Sequence, residues 1–199
     1  LQVLFQRLLA APLGLRDTAF ATRAAARLAT PYVSGTPQPH RLQEGEVVAP
    51  FEGTVGIEYS LARALDASRF ASAGAGLVGT ADDVMSVLEA LRDVQRSGLL
   101  PPALAAEMAS PQVGEFGPPE PAGWGFGLGF AVLREAAASG TPQREGTWRW
   151  GGAYGHSWFV DPARGLSVVA LTNTLYEGMD GAFVDGLRDA VYADLEAAR

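Results

Sequence analysis

Two histidines, no cysteine and no lysine set narrow limits on the chemistry this chain can perform by itself. A zinc site needs three or four ligands. His40 and His156 stand far apart and no H-x-x-x-H occurs, so no metal is expected. The lack of thiols removes disulfides, thiolate metal centres and a cysteine nucleophile. A serine activated by a lysine three positions later is impossible without lysine. No G-x-S-x-G nucleophile elbow is present. Ser34 or Ser157 could join His156 in a triad only from positions that are not strand-to-helix turns. Gly74-Ala75-Gly76-Leu77-Val78-Gly79 matches G-x-G-x-x-G, but no apolar strand precedes it. Asp82 and Asp83 would also put negative charge where a pyrophosphate must sit. No cofactor is expected.

Charge and hydropathy exclude further classes. The 199 residues carry a net charge of -7, and all 15 basic residues are arginines that form no stripe. A nucleic-acid partner is therefore not expected. No apolar run approaches the ~18 residues of a membrane helix, so no membrane partner is expected either. The absence of cysteine leaves the compartment open, with the cytoplasm as the expectation and the periplasm as the alternative. At 48% hydrophobic residues the chain can build a true core.

Hydrophobic periodicity places the elements. Leu1, Leu4, Phe5, Leu8 and Leu9 recur at helical spacing, with Pro12 expected to stop that helix and Gly14 to mark the turn. An apolar helix face at the first residue must pack on something, and its neighbours are expected upstream. Residues 30–60 hold Pro31, Pro37, Pro39 and Pro50, which forbid a long helix. This stretch reads as a long surface loop with at most short strands, as either a pocket wall or a solvated connection. Thr80 caps the clearest helix, with Asp83 in the capping-box position and Val84, Val87, Leu88 and Leu91 as its buried stripe. Gly98 is expected to end it, and Pro101-Pro102 to open a shorter helix.

After residue 123 the period changes from helical to alternating. Trp124, Phe126, Leu128, Phe130 and Val132 alternate with Gly125, Gly127, Gly129 and Ala131, which reads as one strand with a naked face open to another backbone. Further strands are expected at 147–150, 157–160 and 166–171, with Asp161-Pro162-Ala163-Arg164-Gly165 as a tight turn. Phe183, Val184, Leu187, Val191 and Leu195 mark a last helix that Asp180 is placed to cap. Short turns between sequential strands require antiparallel pairing. The expected class is α+β, with 1–121 mostly helical or loop-rich and 122–199 an antiparallel sheet closed by a helix.

Three stretches together resemble the serine β-lactamase-like hydrolases, and among them the family VIII carboxylesterases. Residues 11–20, Ala-Pro-Leu-Gly-Leu-Arg-Asp-Thr-Ala-Phe, look like the family's PLGM-x-D-T-x-F segment. Residues 74–83 are similar to its G-x-G-L-x-S-T-A-x-D helix entry. Residues 150–162, beginning Trp150-Gly151-Gly152-Ala153-Tyr154-Gly155-His156, resemble the W-G-G version of its third motif and the hairpin that follows.

The resemblance implies a mechanism and a division of labour. In that family a serine attacks an ester or lactam carbonyl and forms an acyl-enzyme, with a lysine three residues later and a tyrosine sharing the general-base work. Both motifs precede the stretches matched here, so the resemblance implies an upstream half of the same protein that supplies Ser-x-x-Lys and Tyr. This chain alone is expected to be inactive. It would bring Trp150, Gly151 and Gly152, and the Ala153 N–H as an oxyanion-hole donor. Tyr154, His156, Phe126 and Trp158 are candidate substrate contacts, with structural roles favoured for the last three. Trp150 stands where related β-lactamases carry a lysine, so the cation that holds a substrate carboxylate is replaced by an apolar wall. That favours a small neutral ester over anionic lactams or peptides. A β-lactamase, a D-amino-acid peptidase, an acyltransferase and a non-catalytic binding relative are the alternatives.

Overall fold

A computed structural model of the protein describes residues 1–51, 53–114 and 121–198. The chain opens with a continuous helical run over 2–13 whose middle, Gln6–Ala10, is wound wider than an α-helix. Pro12 does not stop this run, contrary to expectation. It lies in the last turn, Ala11–Leu13, and the helix ends at Gly14 with φ 67. A proline ring clashes with the carbonyl four residues back in a regular α-helix, and that residue, Leu8, lies inside the widened segment Gln6–Ala10. Phe5, Ala10 and Leu15 are buried and pack with Leu9, Phe20 and Val87. Leu1, Val3, Leu4 and Leu8 of the same run remain exposed.

Thr80 caps the Ala81–Arg92 helix through its Oγ1, which accepts from the Asp83 N–H at 3.3 Å. The Asp83 carboxylate does not return to Thr80 as a capping box would have it. It accepts from the Asp17 N–H at 2.9 Å and the Thr18 hydroxyl at 2.7 Å. Ala19 and Val78 exchange backbone hydrogen bonds beside it, and a Cβ at Gly79 would lie 2.6 Å from Thr18 Oγ1. Two of the three recognised stretches are thus one structural joint, closed by a buried carboxylate. Asp83→Ala orphans two donors, so it is expected to destabilise the protein by about 2 kcal/mol. A lowered denaturation midpoint at unchanged m-value checks this. The helix stops at Arg92, and a further turn, Val94–Ser97, runs to Gly98 at φ 63.

Residues 30–60 are largely irregular, with two short antiparallel ladders. β1 (Tyr32–Val33) pairs β2 (His40–Arg41), and β3 (Val47–Val48) pairs β4 (Ile57–Glu58). The stretch is more than a solvated connection, because Val33, Leu42 and Tyr59 are buried together with Leu175. The first 121 residues therefore carry paired strands as well as helices.

The main sheet has five antiparallel strands in sequence order: β5 (Trp124–Phe126), β6 (Ala131–Leu133), β7 (Trp148–Gly152), β8 (His156–Asp161) and β9 (Leu166–Leu171). The single strand expected over 124–132 is two strands and a turn. The Gly127 N–H donates to the Phe130 carbonyl at 2.9 Å, and Gly129 takes φ 107, so the chain reverses there. Alternation continued through the turn, which is why period alone did not reveal it. The naked face is covered as expected. Cβ atoms at Gly125 and Gly127 would meet Pro111 Cβ at 3.3 Å and the Met108 carbonyl at 2.5 Å.

Each face of the sheet is packed by a helix. Phe130, Val132, Trp148 and Val160 form a core with Leu88 of the Ala81–Arg92 helix. On the other face Tyr192, from the C-terminal Ala182–Ala197 helix, stacks on Phe159 with ring centroids 6.1 Å apart. The Tyr192 hydroxyl donates to fully buried Asp161 at 2.5 Å, and burial with that carboxylate pushes the phenol well above its ordinary range. Asp180 does not cap this helix. Gly181 occupies the N-cap at φ 96 with no side-chain hydrogen bond. No helix among the described residues is long and apolar enough to cross a membrane.

Candidate active site

Strand alternation sorts the third motif. Trp148 and Trp150 share one face of β7, the first sealed in the core and the second 39% exposed beyond its edge. Trp150 opposes Trp158 across the ladder and meets Phe126 edge-on at 5.0 Å. Trp158 also packs edge-on to Phe130 and Trp148, so it is shared between core and surface. A cleft of about 170 Å³ opens here, lined by Trp150, Gly151, Trp158, Met179, Phe51 and Arg188 among others. A larger hollow of about 440 Å³ lies between the Ala81–Arg92 and Pro102–Met108 helices. None of the third-motif residues lines it, and its Arg92 is already paired with Glu89.

Past Gly152 the strand turns. The Gly155 N–H donates to the Gly152 carbonyl at 2.9 Å, and Gly155 adopts φ 94. Thr172 Oγ1 and the Thr174 carbonyl would lie 2.2 and 2.5 Å from a Cβ there, so only glycine fits. Ala153 sits at the apex, and its amide N–H makes no hydrogen bond among the described residues. A half-buried backbone donor left open is the geometry an oxyanion hole requires.

The remaining candidates divide. Tyr154 turns away from the cleft and packs edge-on against Tyr59 at 5.2 Å. Burial and the nearby Glu44 charge raise its phenol pKa, so it is held neutral. His156 stands opposite Gly152, where a Cβ would approach its Nδ1 to 3.1 Å. It keeps an exposed edge, while the surrounding protein lowers its pKa by desolvation. An NMR titration is expected to place its midpoint below the ordinary 6.5, leaving a neutral imidazole at pH 7. Ser157 follows His156 on the strand and points to the opposite face, where it is buried at the wall of the cleft of about 170 Å³, with no lysine or histidine among the described residues of the cleft lining. The Ser34 hydroxyl donates to Glu177 at 3.0 Å. Neither serine is arranged as an activated nucleophile.

Sequence reasoning missed the segment after β9. Gly178 lies against the turn so closely that a Cβ there would fall 2.4 Å from Gly155 and His156 backbone atoms, and one at Gly151 would fall 2.5 Å from the Gly178 carbonyl. Tyr176 is the one non-glycine at positive φ among the described residues, at 68°. Only the isolated glycine of residues 172–180 hinted at such an approach.

The sequence matches the beta-lactamase family over residues 1–193. The chain belongs to that family. It is 48% identical to Esterase EstB of Burkholderia gladioli over 187 residues, covering 94% of this chain and 47% of that protein. Among solved structures, EstCE1, a hydrolase with promiscuous acyltransferase activity, superposes with a TM-score of 0.88 at 47% identity over 96% of this chain. Unliganded simvastatin synthase (LovD) from Aspergillus terreus superposes at 0.66 with 19% identity, which speaks for the fold alone. The chain spans about half the length of each of these relatives. The fold class is therefore the α+β β-lactamase/transpeptidase-like arrangement of the family.

Proposed function

We propose that this chain is the third-motif part of a serine carboxylesterase acting on short-chain esters. Its nucleophilic serine, lysine and tyrosine belong to an upstream part of the same protein. The observation that carries this reading is the Ala153 N–H, without a hydrogen bond among the described residues, at the turn beside exposed Trp150, in a family member so similar to a named esterase. The upstream serine oxygen adds to the ester carbonyl as its proton passes to the lysine–tyrosine pair. The Ala153 N–H holds the resulting oxyanion with the serine's own N–H. The C–O bond to the alcohol then breaks, the alcohol takes the proton, and water later releases the acid by the same path. Removing one such donor typically costs about 3 kcal/mol of transition-state stabilisation.

Trp150 presents an indole where a cation would select a carboxylate, which favours neutral acyl groups. Exposed Leu1, Val3, Leu4 and Leu8 on the first helix suit burial against the upstream part. The test is labelling with a fluorophosphonate probe. Residues 1–199 alone should neither hydrolyse p-nitrophenyl butyrate nor take up label, whereas the complete protein should do both. Label on a residue of this chain would overturn the reading. The similarity to a hydrolase with promiscuous acyltransferase activity favours one second reading, acyl transfer to an alcohol. An alcohol added to the assay, with ester product measured against acid, separates the two.

A further inference from the structure

Tyr176 meets the proposed oxyanion turn from outside the cleft. Its backbone N–H donates to the Ala153 carbonyl at 2.9 Å, while its φ of 68° is a conformation tyrosine adopts only when its surroundings impose it. What imposes it is visible on both sides. Ahead of it, the Leu175 N–H donates to the Tyr32 carbonyl at 2.8 Å, and Leu175 is sealed in the core with Val33, Leu42 and Tyr59. Behind it, the Met179 N–H donates to the Tyr176 carbonyl at 2.9 Å, and Gly178 rests on Gly155. The ring is held at its far end, where the Tyr176 hydroxyl donates to the Val48 carbonyl at 3.1 Å and accepts from the Tyr59 hydroxyl at 2.7 Å. Tyr59 in turn packs edge-on against Tyr154, the residue next to Ala153.

We infer that Tyr176, anchored by Tyr59 and Val48, is a positioning residue for the oxyanion donor of the proposed esterase. The inference rests on that reading of Ala153. A peptide unit is planar, so the Ala153 N–H moves with the Gly152 carbonyl, which accepts from the Gly155 N–H at 2.9 Å, while the Tyr176 N–H holds the next unit through the Ala153 carbonyl. With the units on both sides of the Ala153 Cα tethered, the two rotations about that atom have little freedom. Through this clamp, Val48 and Tyr59 set the aim of an N–H that neither of them touches. Catalytic hydrogen bonds tolerate little error, and a shift of about 1 Å can cost about a hundredfold in rate.

The test is made in the complete protein with Tyr176→Ala, Tyr176→Phe and Tyr59→Phe. Tyr176→Ala is expected to lower kcat about thirtyfold or more while KM moves less than about threefold. Affinity for an alkyl boronate, whose tetrahedral adduct mimics the oxyanion, should fall in parallel. Tyr176→Phe keeps the ring and backbone bond and loses only the hydroxyl anchor, so its kcat should fall about three- to tenfold, less than in Tyr176→Ala, and Tyr59→Phe should resemble it. If Tyr176→Ala fails to fold, the two phenylalanine variants decide. A kcat about three- to tenfold below wild type, with a matching loss of boronate affinity, supports the clamp. Unchanged boronate affinity in the folded variants, or a fall in thermal stability alone, overturns it. A complete wild-type protein that neither hydrolyses esters nor takes up fluorophosphonate sinks the esterase reading, and this inference with it. An active wild type with indifferent variants sinks only the clamp.

Discussion

Gly178→Ala is expected to reduce ester hydrolysis by the complete protein on the order of a hundredfold. The added methyl would lie 2.4 Å from the Gly155 carbonyl carbon and oxygen and from the His156 carbonyl carbon. The three nearest atoms are all backbone, so no flexible side chain can yield there. Either the 174–179 segment lifts or the turn moves, and both displace Ala153. Gly151→Ala forces the same separation from the other side, with 2.5 Å to the Gly178 carbonyl and 2.7 Å to Met179 Cα. Gly186→Ala is the matched control. It lies within the Ala182–Ala197 helix, and its Cβ meets nothing within 4 Å. Relief of backbone entropy there should raise stability by about 0.5–1 kcal/mol with unchanged kcat. Equal kcat in Gly178→Ala and Gly186→Ala would show that the close stacking has no bearing on the reaction.

Asp161→Ala is expected to be the most damaging change away from the cleft, at about 4 kcal/mol. Its carboxylate is fully buried and accepts from the Tyr192 hydroxyl at 2.5 Å, the Arg164 N–H at 3.1 Å and the Arg144 N–H at 3.4 Å. Alanine leaves these donors buried and facing a void. Tyr192→Phe removes only the hydroxyl and should cost about 1–2 kcal/mol, by urea denaturation at pH 7.

The pair also fixes a pH dependence. The Tyr192 phenol is raised above its ordinary 10.0 in the folded protein, mainly by burial and then by Asp161. Its contribution is complete below the unfolded-state value and is lost as pH rises past it. Stability should therefore fall above about pH 10. Tyr59 is raised in the same direction by burial and by Tyr176. The alkaline decline should thus be shallower in Tyr192→Phe and shallower still in the double variant with Tyr59→Phe. An identical decline in all three would place the alkaline sensitivity elsewhere.

Legibility in the sequence followed the range of the interactions. Helices and strands with strong periodicity could be read directly, as at Val84, Val87, Leu88 and Leu91 or at 166–171, because burial of one face writes the pattern into neighbouring positions. The hairpin at 127–130 was hidden because Phe130 and Val132 continued the alternation of Trp124 and Phe126 across the reversal. Asp83 was assigned to its own helix because a capping box is local, whereas its partners Asp17 and Thr18 lie more than sixty positions away. The third-motif turn was legible through its glycines and its resemblance to a family. Its support was not. Tyr59 and Tyr176 are separated by 117 positions, and nothing in their types or spacing announces that they meet.

Gly151, Gly155 and Gly178 stack main chain on main chain at the turn, so in the proposed esterase that spot has no side-chain volume with which to distinguish one acyl group from another. Discrimination is left to the ring around it, where Phe51, Trp150 and Met179 stand well exposed. The two duties can therefore diverge independently. In the proposed esterase, preference for a longer or bulkier ester can drift at those three side chains while the Ala153 turn stays intact.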